Sequence, residues 1–235
     1  MTRDDRLKMT PELWVVSIAI NASVLYWYHG RKGGLLETAA ALGLEIPAPE
    51  TWAAFLQCGV AAILLGLLPV LGTALILKAS FRDLGFGAGD WRWGAKASIP
   101  AALVIFPLVL FTQSETSGIC TLYPLTDLVG NGPGGFLAWE ATYLVLYYVA
   151  WEGLFRGAIQ IGLGDRWGFA PAAALQTALT TLLHAGHPEA ETLAACAVGP
   201  ILGWVAWRSR SIWPVVLIHF AAGAATDLSC LLMSR

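Results

Sequence analysis

Long apolar runs alternate with short polar segments along the whole chain. The runs lie at roughly 12–28, 52–78, 97–112, 136–163, 168–186, 190–207 and 211–233. A helix of ~20 apolar residues crosses one bilayer. The pattern therefore predicts an all-α fold, a polytopic transmembrane helix bundle of about seven spans. The first run follows Arg3, Arg6 and Lys8, as a signal peptide would. It ends, however, in Tyr26-Trp27-Tyr28-His29 rather than at a small-residue cleavage site, so it reads as a retained span.

The polar segments set the orientation. With the N-terminus inside, ten of the fourteen Lys and Arg residues fall on inner segments. Only Arg31, Lys32 and Arg235 fall outside, and Arg156 lies within a span. This asymmetry is what the positive-inside rule expects, so the N-terminus is placed inside. The segment SFRDLGFGAGDWRWGAK interleaves aromatic and basic residues, which predicts an interfacial segment over residues 79–97. The opposing LVGNGPGGF is rich in Gly and Pro and reads as an irregular outer loop. With no internal repeat, the chain divides into a front of membrane spans, 1–135, and a motif-bearing core, 136–235.

Composition narrows the function classes. The chain is 57% hydrophobic and 13% charged, too few charges to cover a soluble domain. The net charge of −2 and the absence of a basic cluster exclude a nucleic-acid partner. The lipid bilayer is the expected surroundings, and eleven Trp with six Tyr suit its headgroup boundary. Cys58, Cys120, Cys196 and Cys230 are scattered without CxxC spacing, so neither a zinc cage nor a disulfide framework is expected.

Three runs carry polar stripes. In the fourth, Tyr148, Glu152, Arg156 and Gln160 recur every four residues and share one helix face. The fifth carries Gln176, Thr180 and His184, and the seventh carries His219, Thr226 and Asp227. Ionisable groups at membrane depth cost roughly 2.5–3.5 kcal/mol each on insertion scales, so they face the bundle interior and pair. Glu152 and Arg156 are spaced as such a pair. Glu152 and His184 stand equally far from the turn at Gly168, and His219 enters from the same side. One carboxylate and two imidazoles are thus expected to converge in a single intramembrane cavity. Glu140 reads as an outer-interface residue. His184-x-x-His187 has the spacing of two metal ligands, but no HExxH is present, and neither metal nor cofactor is expected.

These residues resemble the motifs of the CAAX-protease and bacteriocin-processing (CPBP, or Abi) family of glutamate-type intramembrane endopeptidases. The Glu-Glu-x-x-x-Arg motif falls on Trp151-Glu152-Gly153-Leu154-Phe155-Arg156, followed by Gly157. Phe-x-x-x-His falls on Thr180 to His184, and His-x-x-x-Asn on His219 to Gly223. The resemblance implies a bacterial inner (plasma) membrane protein that cuts a peptide bond near the C-terminal end of a membrane-anchored or lipidated substrate, a C-terminal sorting tail being one form. It implies that Glu152 and His184 activate water, Arg156 holds the carboxylate, and His219 donates to the oxyanion. Three positions depart from the pattern: Trp151 replaces the first glutamate, commonly credited with the catalytic role, Thr180 replaces the phenylalanine, and Gly223 replaces the asparagine. Asp227 and Thr226, about one turn past Gly223, are the candidates to replace that asparagine. The departures also support an alternative, an inactive member acting as an immunity or scaffold protein on a transmembrane partner. A transporter using Glu and His is a third reading, against which the missing repeat argues.

Overall fold

The computed structural model describes residues 9–112 and 118–233 of the chain. Among them, eight helices of ten or more residues form one bundle. Helix α1 spans Pro11–Leu25, capped by the Thr10 side chain, which accepts from the Leu13 N–H, and started by Pro11. It winds on through a wider turn, Tyr26–Gly30. Helix α2, Lys32–Ala41, has no buried residue. It was not foreseen, because residues 32–41 lie between two apolar runs. Helix α3 is Pro49–Leu77. A turn at Arg82–Phe86 leads into α4, Trp91–Thr112. The 79–97 segment therefore splits between that turn and the start of α4. Within it Leu84 is fully buried and the Gly85 carbonyl accepts from the Ile212 N–H at 2.9 Å, while residues 88–92 are exposed.

Helix α5 runs without a break over residues 133–167 and is the axis of the bundle. Every residue from 150 to 164 is buried, as expected of a helix surrounded by others. Helices α6 (Phe169–Leu183), α7 (Glu189–Ser209) and α8 (Trp213–Met233) complete the fold. Gly168, at φ 86°, makes the sharp turn from α5 to α6 that a residue with a Cβ would resist. The predicted outer loop before α5 is partly ordered, holding a short 3-10 turn at Asp127–Gly130.

Apolar side chains also cover the outside. Leu75 and Leu103 are each 70% exposed, and Ile99 and Leu217 lie bare on the same outward faces. Such a surface suits lipid rather than water. Helices α3, α7 and α8 are long and apolar enough to cross a membrane.

Polar contacts gather at two opposite ends, separated by at least the length of α1, about 22 Å at 1.5 Å per residue. At one end Arg166 meets Glu12 at 2.8 Å, and Arg210 forks onto both oxygens of Asp165 at 2.7 Å. At the other, Lys32 meets Glu50 at 2.8 Å, Arg31 donates to the Ala185 carbonyl, and Thr51 donates to Asp127. Arg3, Arg6, Lys8 and Arg235 lie outside the described residues.

One expectation is corrected at this second end. Cys120 and Cys230 form a disulfide, with Cα atoms 5.2 Å apart. No spacing signal announced it, because 110 residues separate the two and only the packing of Ile119–Leu122 against the end of α8 joins them. Cys58 is a buried packing residue as expected, and Cys196 is exposed. Closing so long a loop removes unfolded-state entropy, typically worth about 2–4 kcal/mol. Cys120→Ser and Cys230→Ser should each lower the melting temperature of the detergent-solubilised protein and abolish the mobility difference between reduced and non-reduced samples on a gel.

Candidate active site

The site is built around the middle of α5. The helix is wound more loosely on both sides of Glu152, over Tyr143–Tyr148 and Gly153–Leu163. Such π-helical stretches widen a helix and re-aim its side chains, and they are frequent at functional sites. Glu152 has no exposed surface. One of its oxygens is 3.2 Å from Arg156 Nε, one turn along the same helix. The other accepts from His219 Nδ1 at 2.6 Å, across to α8. A buried carboxylate needs such partners, since leaving one unpaired costs several kcal/mol.

His184, at the C-terminal end of α6, has a different partner from the one expected. Its Nδ1 donates to the Thr180 carbonyl at 2.7 Å, and its Nε2 lies 3.7 Å from an oxygen of Glu191 on α7. The Glu152 carboxylate thus pairs with His219, not with His184. Trp151 separates the two imidazoles, its ring centroid 5.8 Å from His184 and 6.3 Å from His219.

Glu191 is the site residue that the sequence reading missed. It accepts from His187 Nδ1 and from the Tyr123 hydroxyl, each at 3.0 Å. The available signal was the i,i+4 spacing of His187 and Glu191. It was masked because acidic residues in the first turn of a helix commonly serve the helix dipole. Tyr123, in the segment between α4 and α5, is held as a neutral donor: burial and the adjacent Glu191 carboxylate push its phenol well above the usual range.

Arg156, His184 and His219 line one cavity of about 470 Å³, together with Tyr148, His187 and Glu191. Glu152 sits behind this wall. Among the described residues, no group of three or more His, Cys, Asp or Glu side chains is arranged to hold a metal ion. The other polar residues of the stripes mostly join helices. Gln176 donates to the Gly199 carbonyl at 3.0 Å, and the ends of the Gln160 and Gln176 side chains occupy the space that a Cβ at Gly203 would take.

Two residues marked in the sequence, Glu140 and Asp227, occupy other places than expected, and Thr226 faces the cavity. Glu140 is buried rather than interfacial, because it packs against Asp227. Asp227 accepts from Trp139 Nε1 at 2.8 Å and does not line the cavity. Thr226 lines the cavity, with its hydroxyl donating to the Ala222 carbonyl. Neither fills the space beside Gly223. The Tyr148 hydroxyl does: a Cβ at Gly223 would run into it. Tyr148 also packs edge-on against His219, with centroids 4.8 Å apart.

These features define a helical membrane protein with a polar cavity built from carboxylate and imidazole groups. Residues 133–225, α5 through most of α8, match the family described as type II CAAX prenyl endopeptidase Rce1-like. That segment is the one on which the CPBP motifs fall, so the likeness to this peptidase family is shown there. No curated protein and no solved structure matches the chain significantly.

The contact at Gly223 is testable. Gly223→Ala forces a methyl group into the Tyr148 hydroxyl, and overpacking of this kind costs about 1–3 kcal/mol. Gly223→Ala should lower the melting temperature, and adding Tyr148→Phe should recover part of the loss. Strictly additive effects in this double-mutant cycle would show that the two positions do not touch.

Proposed function

We propose that the protein is an intramembrane endopeptidase that hydrolyses a peptide bond near the C-terminal end of a membrane-anchored or lipidated substrate, sorting tails included. The single observation carrying this reading is the cavity itself. Helices α5, α6, α7 and α8 turn Arg156, His184, Glu191 and His219 toward one polar space inside an otherwise apolar bundle. Peptide hydrolysis requires a base to take a proton from water and donors where the oxyanion forms. Glu152, His184, His219 and Arg156 are the residues on which the activity rests. His219, held by Glu152 through Nδ1, lines the cavity where the oxyanion forms and stabilises it. Arg156 holds Glu152 against rotation, and His184 faces the attacking water.

The N-terminus lies inside in this reading, in the bacterial plasma membrane. Two independent features support that orientation. Basic residues concentrate at the end holding Arg166 and Arg210, while the Cys120–Cys230 disulfide lies at the other. Disulfides persist on the oxidising side of a membrane. Because Arg31, Lys32 and Glu50 at the disulfide end also line the cavity, substrate enters from the outer side.

A second reading, a non-catalytic partner-binding protein, draws on Trp151, which holds a tryptophan where the related peptidases carry a glutamate. The two separate on one assay. The probe is a farnesylated peptide ending in cysteine, two aliphatic residues and a variable residue, with products identified by mass. His184→Ala should reduce cleavage ~100-fold or more, the scale of lost acid–base catalysis, and Glu152→Gln should also reduce it, because His219 loses the carboxylate that positions it. Both variants should remain in the membrane. Wild-type rates in either variant would remove that residue from the mechanism, and capture of a partner without cleavage by the wild type would favour the second reading. For orientation, a membrane-impermeant thiol reagent applied to intact cells should label a cysteine introduced at Asp127 but not one at Asp90, in a background lacking Cys58 and Cys196. The reverse pattern would invert the topology.

A further inference from the structure

Two carboxylates pair with the histidines of the site, Glu152 and Glu191, and of these only Glu191 can meet a water molecule in the cavity. Glu152 has no exposed surface and is held between Arg156 and His219. The Glu191 side chain keeps 17% of its surface and lines the cavity, as does the adjacent His184. We propose that Glu191 is the catalytic carboxylate of the hydrolytic reaction, acting with His184 on the attacking water, and that Glu152 is a positioning residue for His219. This assignment rests on the peptidase reading above and deepens it.

The geometry supports the pairing in detail. A carbonyl only accepts, so the 2.7 Å contact with Thr180 requires the proton of neutral His184 on Nδ1. Nε2 is then a lone-pair acceptor facing Glu191 Oε1 at 3.7 Å, too far for a direct hydrogen bond. In the proposed site the attacking water donates one proton to each of these two acceptors. The carboxylate cannot turn away, because His187 donates to Oε2 and Tyr123 to Oε1, both at 3.0 Å. The turn carrying His184 is fixed in the same manner, since the Thr192 hydroxyl donates to the His184 carbonyl at 3.0 Å. Rigid support of this kind is what a proton-transfer group requires.

The step balances without any further reactant. The water oxygen forms a bond to the scissile carbonyl carbon while Glu191 takes one of its protons, and the carbonyl oxygen becomes the oxyanion. The carbonyl re-forms as the C–N bond breaks, and the proton on Glu191 passes to the departing nitrogen. One peptide and one water yield a new carboxyl end and a new amine. Trp151 fits this arrangement, because its indole fills the space between His184 and His219 and leaves the acid to come from α7.

The test uses the full-length protein in detergent with the farnesylated peptide probe. Glu191→Gln should lower kcat ~100-fold or more while KM stays within about two-fold, and Glu191→Asp should recover part of the rate. An intact Cys120–Cys230 bond and an unchanged melting temperature report that the variant is folded. A folded Glu191→Gln variant with kcat near wild type would overturn the assignment while leaving the peptidase reading in place. If Glu191→Gln does not fold, Tyr123→Phe decides: removing one hydrogen bond to the carboxylate should lower kcat about ten-fold at constant KM, and an unchanged kcat overturns the assignment. No cleavage by the wild type removes the peptidase reading, and this assignment with it.

Discussion

Burial of the Glu152 carboxylate is the constraint from which the rest of the site follows. A charge with no solvent access must be matched from within the protein, and breaking a buried ion pair by removing one member costs about 3–5 kcal/mol. Arg156 supplies one partner from the same helix, and His219 supplies the other from α8. The second contact fixes how α8 is rotated against α5. It thereby sets which way the His219 ring faces and which residue of α8 lies against Tyr148.

That approach is close because α8 carries Gly223 at the point of contact, where the tyrosine hydroxyl occupies the space of a side chain. The loosened turns of α5 serve the same end, spreading polar and aromatic residues over more of the helix circumference than regular winding allows. A wall of tyrosines results, with Tyr26, Tyr143, Tyr147 and Tyr148 all lining the cavity. At the disulfide end, the Cys120–Cys230 bond and the contacts of Lys32 with Glu50 and the Leu125 carbonyl draw the segment before α5 over the site. Tyr123 is thus brought to Glu191.

The two carboxylate–imidazole pairs differ in what surrounds them, and chemistry follows the surroundings. Glu152 and His219 sit against a guanidinium, with the carboxylate closed off from solvent. Glu191 and His184 face the open cavity, with Tyr123 and His187 donating to the carboxylate. Departures from the peptidase motifs lie where another group occupies the position: the Tyr148 hydroxyl beside Gly223, and the Trp151 indole between the two histidines. The stripe on α6 mainly serves packing, since Gln176 ties that helix to α7.

How much was legible in the sequence depended on whether partners shared a helix. Periodicity within one helix determined that Glu152 and Arg156 pair and that the chain is an all-helical membrane protein, and counting the rise from the turn at Gly168 placed His184 and His219 in the region of Glu152. Each follows from rise and rotation per residue, which hold wherever a helix goes. Contacts between helices were decided only by the tertiary structure. Glu152 chose His219 over His184, Glu140 turned inward to Asp227, Glu191 entered the cavity, and Cys120 met Cys230 across 110 residues. The physical reason is that such contacts depend on the rotation and depth of one helix against another. Interdigitation of many side chains sets those two quantities, and no local spacing records them.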